Sequence, residues 1–137
     1  MLADLFVFGT LKRGYPLHDH GLRGAQFIGI YRTQQRLPLL IAGRWFAPMM
    51  FNEPGNGHKV LGEVYRIEEF QLPSLDRIES IGEPGNLRLK ITVEPVGDGK
   101  PLSAFVYMKS RELTESTYHS GIMESYGDHR FIAPWDR

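Results

Sequence analysis

Short apolar runs separated by glycine and proline make up most of this chain. Residues 5–8 are continuously apolar, as in a strand buried on both faces, and the run stops at Gly9. Six further segments combine strand-favouring residues with turn-forming neighbours: 26–33, 37–42, 47–51, 60–67, 87–96 and 102–109. Seven strands in one short chain predict a curled or closed sheet.

Helical signals are few. The best internal candidate is 68–80, where Pro73 is tolerable only in the first turn or at a kink. The last stretch, 111–137, has no sustained periodicity, so we expect it to wrap the surface. Phe131 and Trp135 are the side chains expected to hold it there.

Length and composition restrict the class of protein. The 137 residues predict a single domain over 1–137, and 42% hydrophobic with 23% charged residues is typical of globular chains. Sixteen basic and sixteen acidic side chains give zero formal net charge, which argues against nucleic acid or a membrane as a partner. No cysteine is present, which excludes disulfides, thiolate zinc sites and thiol nucleophiles. Together with an N-terminus unlike a signal peptide, this composition predicts a cytoplasmic protein.

Glu79 is the acid most suggestive of chemistry. On a helix it follows Leu72 by seven positions and Leu75 by four, so it shares their face. A carboxylate that faces a core needs a partner, a raised pKa or a role in proton transfer. The alternative is that the helix ends before Glu79 and the side chain turns to solvent.

The loop at 9–14 is the second candidate site. It follows a buried strand, so its backbone N–H groups are free to bind a carboxylate or an oxyanion. Gly9 allows close approach to the backbone, Thr10 adds a hydroxyl, and Lys12 and Arg13 favour an anion nearby. The alternative is an ordinary turn, and the spacing of a P-loop is missing.

Metal and serine chemistry find little support. His18 and His20 flank Asp19, but the remaining histidines stand alone in the sequence and form no helical pair: His58, His119 and His129. No Gly-x-Ser-x-Gly segment occurs. We therefore expect neither a metal nor another cofactor.

Four segments, taken in order, resemble one known family. They are 8–14 (FGTLKRG), 38–43 (PLLIAG), 62–65 (GEVY) and 75–79 (LDRIE). This order resembles the gamma-glutamylcyclotransferase-like superfamily, most closely its gamma-glutamylamine cyclotransferase (AIG2-like) branch. Two positions depart from the family pattern: Phe8 replaces a usual Tyr, and Asn86 stands near another position that is often Tyr.

The resemblance implies an α+β fold, a small mixed β-barrel with short helices, and an enzyme without a cofactor. In the implied reaction, the α-amine of a γ-glutamyl compound attacks its own γ-carbonyl and releases 5-oxoproline and an amine. Glu79 matches the family's catalytic acid/base, and Phe8, Gly9, Thr10 and Leu11 match its substrate-binding loop. The loop amides would bind either the α-carboxylate or the oxyanion.

The expected partner is a small γ-glutamyl compound bound by a monomer. Its leaving group is left open among γ-glutamyl amines, the γ-glutamyl-ε-lysine isopeptide and γ-glutamyl amino acids. Two alternatives to this enzyme are a binding or regulatory module that keeps the barrel without turnover, and a barrel that binds nucleic acid.

Overall fold

The strands lie close to the apolar runs. A computed structural model describes residues 1–114 and 117–137. Its strands are β1 (Leu2–Val7), β2 (Gln26–Leu37), β3 (Leu39–Ala42), β4 (Ala47–Met50), β5 (His58–Glu68), β6 (Asn86–Pro95) and β7 (Leu102–Lys109). Its helices are α1 (His18–Leu22), α2 (Leu72–Ile78) and three short 3-10 helices, Glu69–Gln71, Arg111–Leu113 and Pro134–Asp136.

Five strands close into a barrel in the order β1, β5, β2, β6, β7. Four of the neighbouring pairs are antiparallel, whereas β1 and β7 run parallel and pair at Leu5 and Phe105. Strands β3 and β4 form a separate antiparallel pair. The predicted α+β fold with a mixed barrel and short helices is confirmed.

Strand β1 is buried on both faces, which explains its unbroken apolar sequence. Phe6 and Phe8 belong to one core cluster, and the alternate residues Leu5 and Val7 belong to a second cluster. Side chains of a strand alternate between faces, so the two clusters lie on opposite sides of β1. Helix α2 also packs into the second cluster, through Leu72 and Leu75.

The predicted helix 68–80 begins as a 3-10 helix and continues as α2. Pro73 falls in the first turn of α2, as expected, and Leu72 and Leu75 are buried. Helix α1 was not predicted, because five residues with one buried side chain, Leu22, show no periodicity. In the described residues, no helix is both long and apolar enough to cross a membrane.

The side chains that hold the C-terminal stretch differ in part from those expected. Residues 115 and 116 of this stretch lie outside the described part of the chain. Phe131 packs against the second cluster, as expected, but Trp135 remains 54% exposed. The stronger anchor is Tyr126, which is 1% exposed. The Lys12 ammonium donates a hydrogen bond of 2.6 Å to the Tyr126 carbonyl.

The close packing of β5 against β1 can be tested by substitution of Gly62. A Cβ at this position would clash with the Val7 carbonyl oxygen and the Phe6 ring. We expect Gly62→Ala to lower the free energy of unfolding by about 1–3 kcal/mol in urea denaturation. Gly121→Ala is the control, since its Cβ would meet no atom within 4 Å. Equal stability of the two variants would contradict this packing.

Candidate active site

A cavity of about 560 Å³ opens at the edge of the barrel where β1 and β7 end. Its lining comes from the loop after β1, the β3–β4 hairpin, the end of α2, the β6–β7 pair and the C-terminal stretch. The parallel pairing explains this position, because parallel neighbours end at the same edge of a sheet. The loop after β1 therefore meets the last residues of β7.

Glu79 lies at the end of α2 and lines this cavity. Helix α2 ends at Ile78, but the Glu79 N–H still bonds to the Leu75 carbonyl at 2.9 Å. The side chain is half-buried and faces the cavity, although the helix ends one residue early. Burial raises the pKa of the Glu79 carboxyl, and the nearby Lys109 ammonium partly opposes this rise.

Two residues next to Glu79 were not assigned a role by sequence reasoning. The Lys109 ammonium donates to the Asn86 side-chain oxygen at 2.7 Å. The Asn86 amide in turn donates to the carbonyls of Ser80 at 3.0 Å and Glu79 at 3.4 Å. Burial lowers the pKa of Lys109, and the Glu79 carboxylate opposes that change. Asn86 had been noted only as a departure from the family pattern.

Tyr107 joins α2 to the cavity wall. Its hydroxyl donates to the Asp76 carboxylate at 2.8 Å, and the Arg88 guanidinium donates to the same carboxylate at 3.0 and 3.1 Å. Burial raises the pKa of Tyr107, and the Asp76 hydrogen bond adds to the rise. The tyrosine therefore stays a neutral donor. Tyr107 and Lys109 are two positions apart in β7, so their side chains lie on the same face of the strand. This spacing is the sequence signal that places both side chains in one wall of the cavity.

The loop residues Phe8, Gly9, Thr10 and Leu11 all line the cavity, as the hypothesis requires. Hydrogen bonds occupy the carbonyls of Gly9 and Thr10, each at 3.0 Å. Within residues 1–114 and 117–137, none occupies the N–H groups of Gly9, Thr10 or Leu11. These three N–H groups belong to residues that line the cavity, so they are candidate donors to a bound anion.

The structure does not bring the side chains of Lys12 and Arg13 to the cavity. Lys12 bonds to the Tyr126 carbonyl, and the Arg13 guanidinium lies 5.2 Å from the centre of the Phe27 ring. Neither side chain lines the cavity. Lys109 is a basic side chain that does line it, and it comes from a strand rather than from the loop.

Aromatic side chains form another part of the wall. The Arg137 guanidinium lies 4.6 Å from the Trp45 ring centre and 5.7 Å from that of Phe131. The Ile132 N–H donates to the Trp45 carbonyl at 2.9 Å, which ties the C-terminal stretch to the hairpin. Trp45 of the hairpin and Phe131 of the C-terminal stretch both line the cavity.

The histidine pair serves packing. The His18 Nδ1 atom hydrogen-bonds to the Leu11 carbonyl at 2.8 Å, and His20 stacks on Trp135 at 4.4 Å. No group of three or more His, Asp or Glu side chains in the described sequence is placed to hold a metal ion.

Comparison with known proteins shows the family of this chain. The family model described as gamma-glutamyl cyclotransferase, AIG2-like, matches residues 5–128. The chain belongs to this family. The expectation of a gamma-glutamyl cyclotransferase type of enzyme is confirmed by the family model and by curated relatives named gamma-glutamylaminecyclotransferase.

Relatives of this AIG2-like cyclotransferase include one from Bos taurus, 43% identical over 111 residues. That match covers 77% of this chain and 65% of the cow protein, just under two thirds of its length. A Mus musculus relative is 37% identical over 141 residues, covering 93% of each protein. The crystal structure of an AIG2-like protein from Mus musculus aligns with a TM-score of 0.77 and 35% identity, covering 92% of this chain and 88% of that one.

The role of the loop after β1 can be tested by substitution of Gly9. A Cβ at Gly9 would lie 2.5 Å from the Pro48 ring, so Gly9→Val should displace the loop from the hairpin and abolish turnover. Phe8→Tyr is the control, because it adds only a hydroxyl and should keep activity. Turnover assays with circular dichroism would check both variants. A folded, fully active Gly9→Val protein would show that the loop is wrongly assigned.

Proposed function

We propose that this protein converts γ-glutamyl amines to 5-oxoproline and free amines, with Glu79 as general acid and base. The observation that carries the proposal is the shared cavity of Glu79 and the free N–H groups of Gly9, Thr10 and Leu11. An acid/base and a set of anion-binding donors are the two groups that this cyclisation needs. The names of the curated relatives support the same reaction class.

The reaction balances within one substrate. The Glu79 carboxylate takes a proton from the α-ammonium, and the freed nitrogen attacks the γ-carbonyl carbon. A carbon–nitrogen bond forms, and the carbonyl oxygen becomes an oxyanion. Glu79 then returns a proton to the leaving nitrogen as its bond to carbon breaks. The ring nitrogen loses its second proton through the same carboxylate to the released amine, which departs as an ammonium ion.

Positioning supplies much of the acceleration. The attack is intramolecular, and effective molarities for well-oriented reactions of this kind reach about 10⁵ M or more. The N–H groups of Gly9, Thr10 and Leu11 bind either the α-carboxylate or the oxyanion, because both are anions that accept several donors. A correctly held glutamyl group would bring its amine close to Glu79.

The leaving group would lie against the aromatic part of the wall. Trp45 and Phe131 offer apolar surface, and the Arg137 guanidinium lies beside both rings. A cavity of about 560 Å³ suits one small molecule. The proposed partner is therefore a small γ-glutamyl compound, bound by a monomer without nucleic acid or membrane.

Glu79→Gln tests the mechanism. The amide keeps the shape of the side chain but cannot accept the ammonium proton, so 5-oxoproline release should fall by roughly 10²-fold or more. The fold should be retained or slightly stabilised, since a neutral amide costs less to bury than a carboxylate. The assay would use γ-glutamyl amines, γ-glutamyl-ε-lysine and γ-glutamyl amino acids as substrates.

Glu69→Gln is the matched control for this variant. Glu69 is exposed at the start of the 3-10 helix before α2, so its amide form should be fully active. A turnover rate unaffected by Glu79→Gln would end the proposed mechanism. If the parent protein releases 5-oxoproline from no γ-glutamyl compound while still binding one, a non-catalytic binding module becomes the better account.

Chelation gives a further test. The proposed steps use only the Glu79 carboxylate and backbone donors, so activity should be unchanged after EDTA treatment and dialysis. Turnover would be measured before and after treatment, and again with single divalent metals added back. Loss on chelation with recovery by one metal would contradict the proposal.

A further inference from the structure

We propose that Lys109, held by Asn86, is a positioning residue that keeps the Glu79 carboxylate ionised and fixed in the cavity. This inference rests on the proposed function of Glu79. It assigns roles to two residues whose contacts meet at the end of α2.

The first support is a hydrogen-bonded clamp. Ser80 adopts a positive φ of 54°, so the chain turns sharply directly after Glu79. The Asn86 amide donates to the carbonyls of both residues, and its oxygen accepts from Lys109. Asn86 and Lys109 are directly paired across β6 and β7, so the clamp is fixed to the barrel.

The second support is the distribution of charge around Glu79. In the described part of the chain, the Glu79 carboxylate forms no salt bridge within 4.0 Å and no side-chain hydrogen bond. Lys109 lines the same cavity, and its ammonium opposes the larger effect of burial, which raises the pKa of Glu79. Other titratable or charged side chains near this end of the barrel come from α1, α2, β6, β7 and the C-terminal stretch: His20, Asp76, Arg77, Arg88, Tyr107 and Arg137.

Most of these groups have contacts of their own. Asp76 is bonded to Arg88 and Tyr107, which leaves little of its charge to act elsewhere. His20 stacks on Trp135. Arg137 lies over aromatic rings, and Arg77 is exposed to solvent, where its charge is screened.

The arrangement suits a general base. Burial without a cation nearby raises the pKa of a carboxylate and favours its protonated form, which cannot accept the α-ammonium proton. A cation in direct contact would lower its basicity instead. The Lys109 ammonium is hydrogen-bonded to Asn86, which holds the Glu79 carbonyl, and within the described residues it forms no salt bridge with Glu79. This arrangement favours a carboxylate that is ionised and still basic.

Asn86 is suited to this clamp because its side chain both donates and accepts. A tyrosine, which the resemblance leads one to expect near this position, has a single hydroxyl and could not bridge two carbonyls and an ammonium in the same way.

The test compares Lys109→Met, Lys109→Gln and Lys109→Arg with the parent protein. The pH profile of kcat/KM for 5-oxoproline release and the ¹³C titration of the Glu79 carboxyl carbon are measured for each, the signal being assigned with Glu79→Gln. In the Met and Gln variants, the acid limb and the NMR midpoint should both rise by about one pH unit, because the opposing cation is gone. Lys109→Arg should keep both near the parent values.

Controls separate this role from a structural one. Lys90→Met removes an exposed ammonium on β6 that lies 4.9 Å from the Phe105 ring centre, and it should leave both readouts unchanged. Asn86→Ala should lower kcat more than it raises KM, because the turn that carries Glu79 loses its clamp. A purely structural role for Lys109 would lower stability without moving the acid limb or the NMR midpoint.

The outcomes also separate this proposal from the proposed function. Folded Met or Gln variants with both readouts at the parent values would overturn it, and Lys109→Gln decides if Lys109→Met does not fold. If the parent releases no 5-oxoproline but the NMR midpoint still rises, the proposed function fails and the effect of Lys109 on Glu79 stands.

Discussion

Parallel pairing of β1 with β7 at Leu5 and Phe105 closes the barrel and leaves both strands ending at the same edge. The four other neighbouring pairs in the barrel are antiparallel, and an even number of reversals makes β1 and β7 run in the same direction. The free N–H groups after β1 and the side chains at the end of β7 are near each other for this reason. A different closure would separate the anion-binding loop from Lys109.

Burial of charged groups at the site lowers the stability of the fold, and apolar packing around the site offsets this loss of free energy. Burying the Glu79 carboxylate disfavours its charged form, and the Lys109 ammonium is disfavoured in the same way. Helix α2 is nevertheless held in place, because Leu72 and Leu75 pack into the second core cluster. Apolar burial along one face of α2 thus allows an acid to be kept at its end.

The sequence predicts the strands well because their signal is local. Residues 102–109 have the bounds of β7, and the apolar run at 5–8 shows the two-sided burial of β1. Helical spacing singled out Glu79, and the structure places this residue at the cavity. Lys109 was not singled out, because its contact with Asn86 joins residues on paired strands that are 23 positions apart in the sequence. Lys12 was misassigned for a similar reason, since its hydrogen-bond partner lies 114 positions along the chain.

The C-terminal stretch supplies part of the cavity wall from outside the barrel. The Arg137 guanidinium lies over the rings of Trp45 and Phe131, and all three side chains line the cavity. Glu79 and the loop after β1, in contrast, are held in place by the barrel and its helix α2. These two parts can diverge independently during evolution. Under the proposed function, an exchange of the C-terminal stretch would change which leaving group fits the cavity and would leave Glu79 and the loop after β1 unaltered.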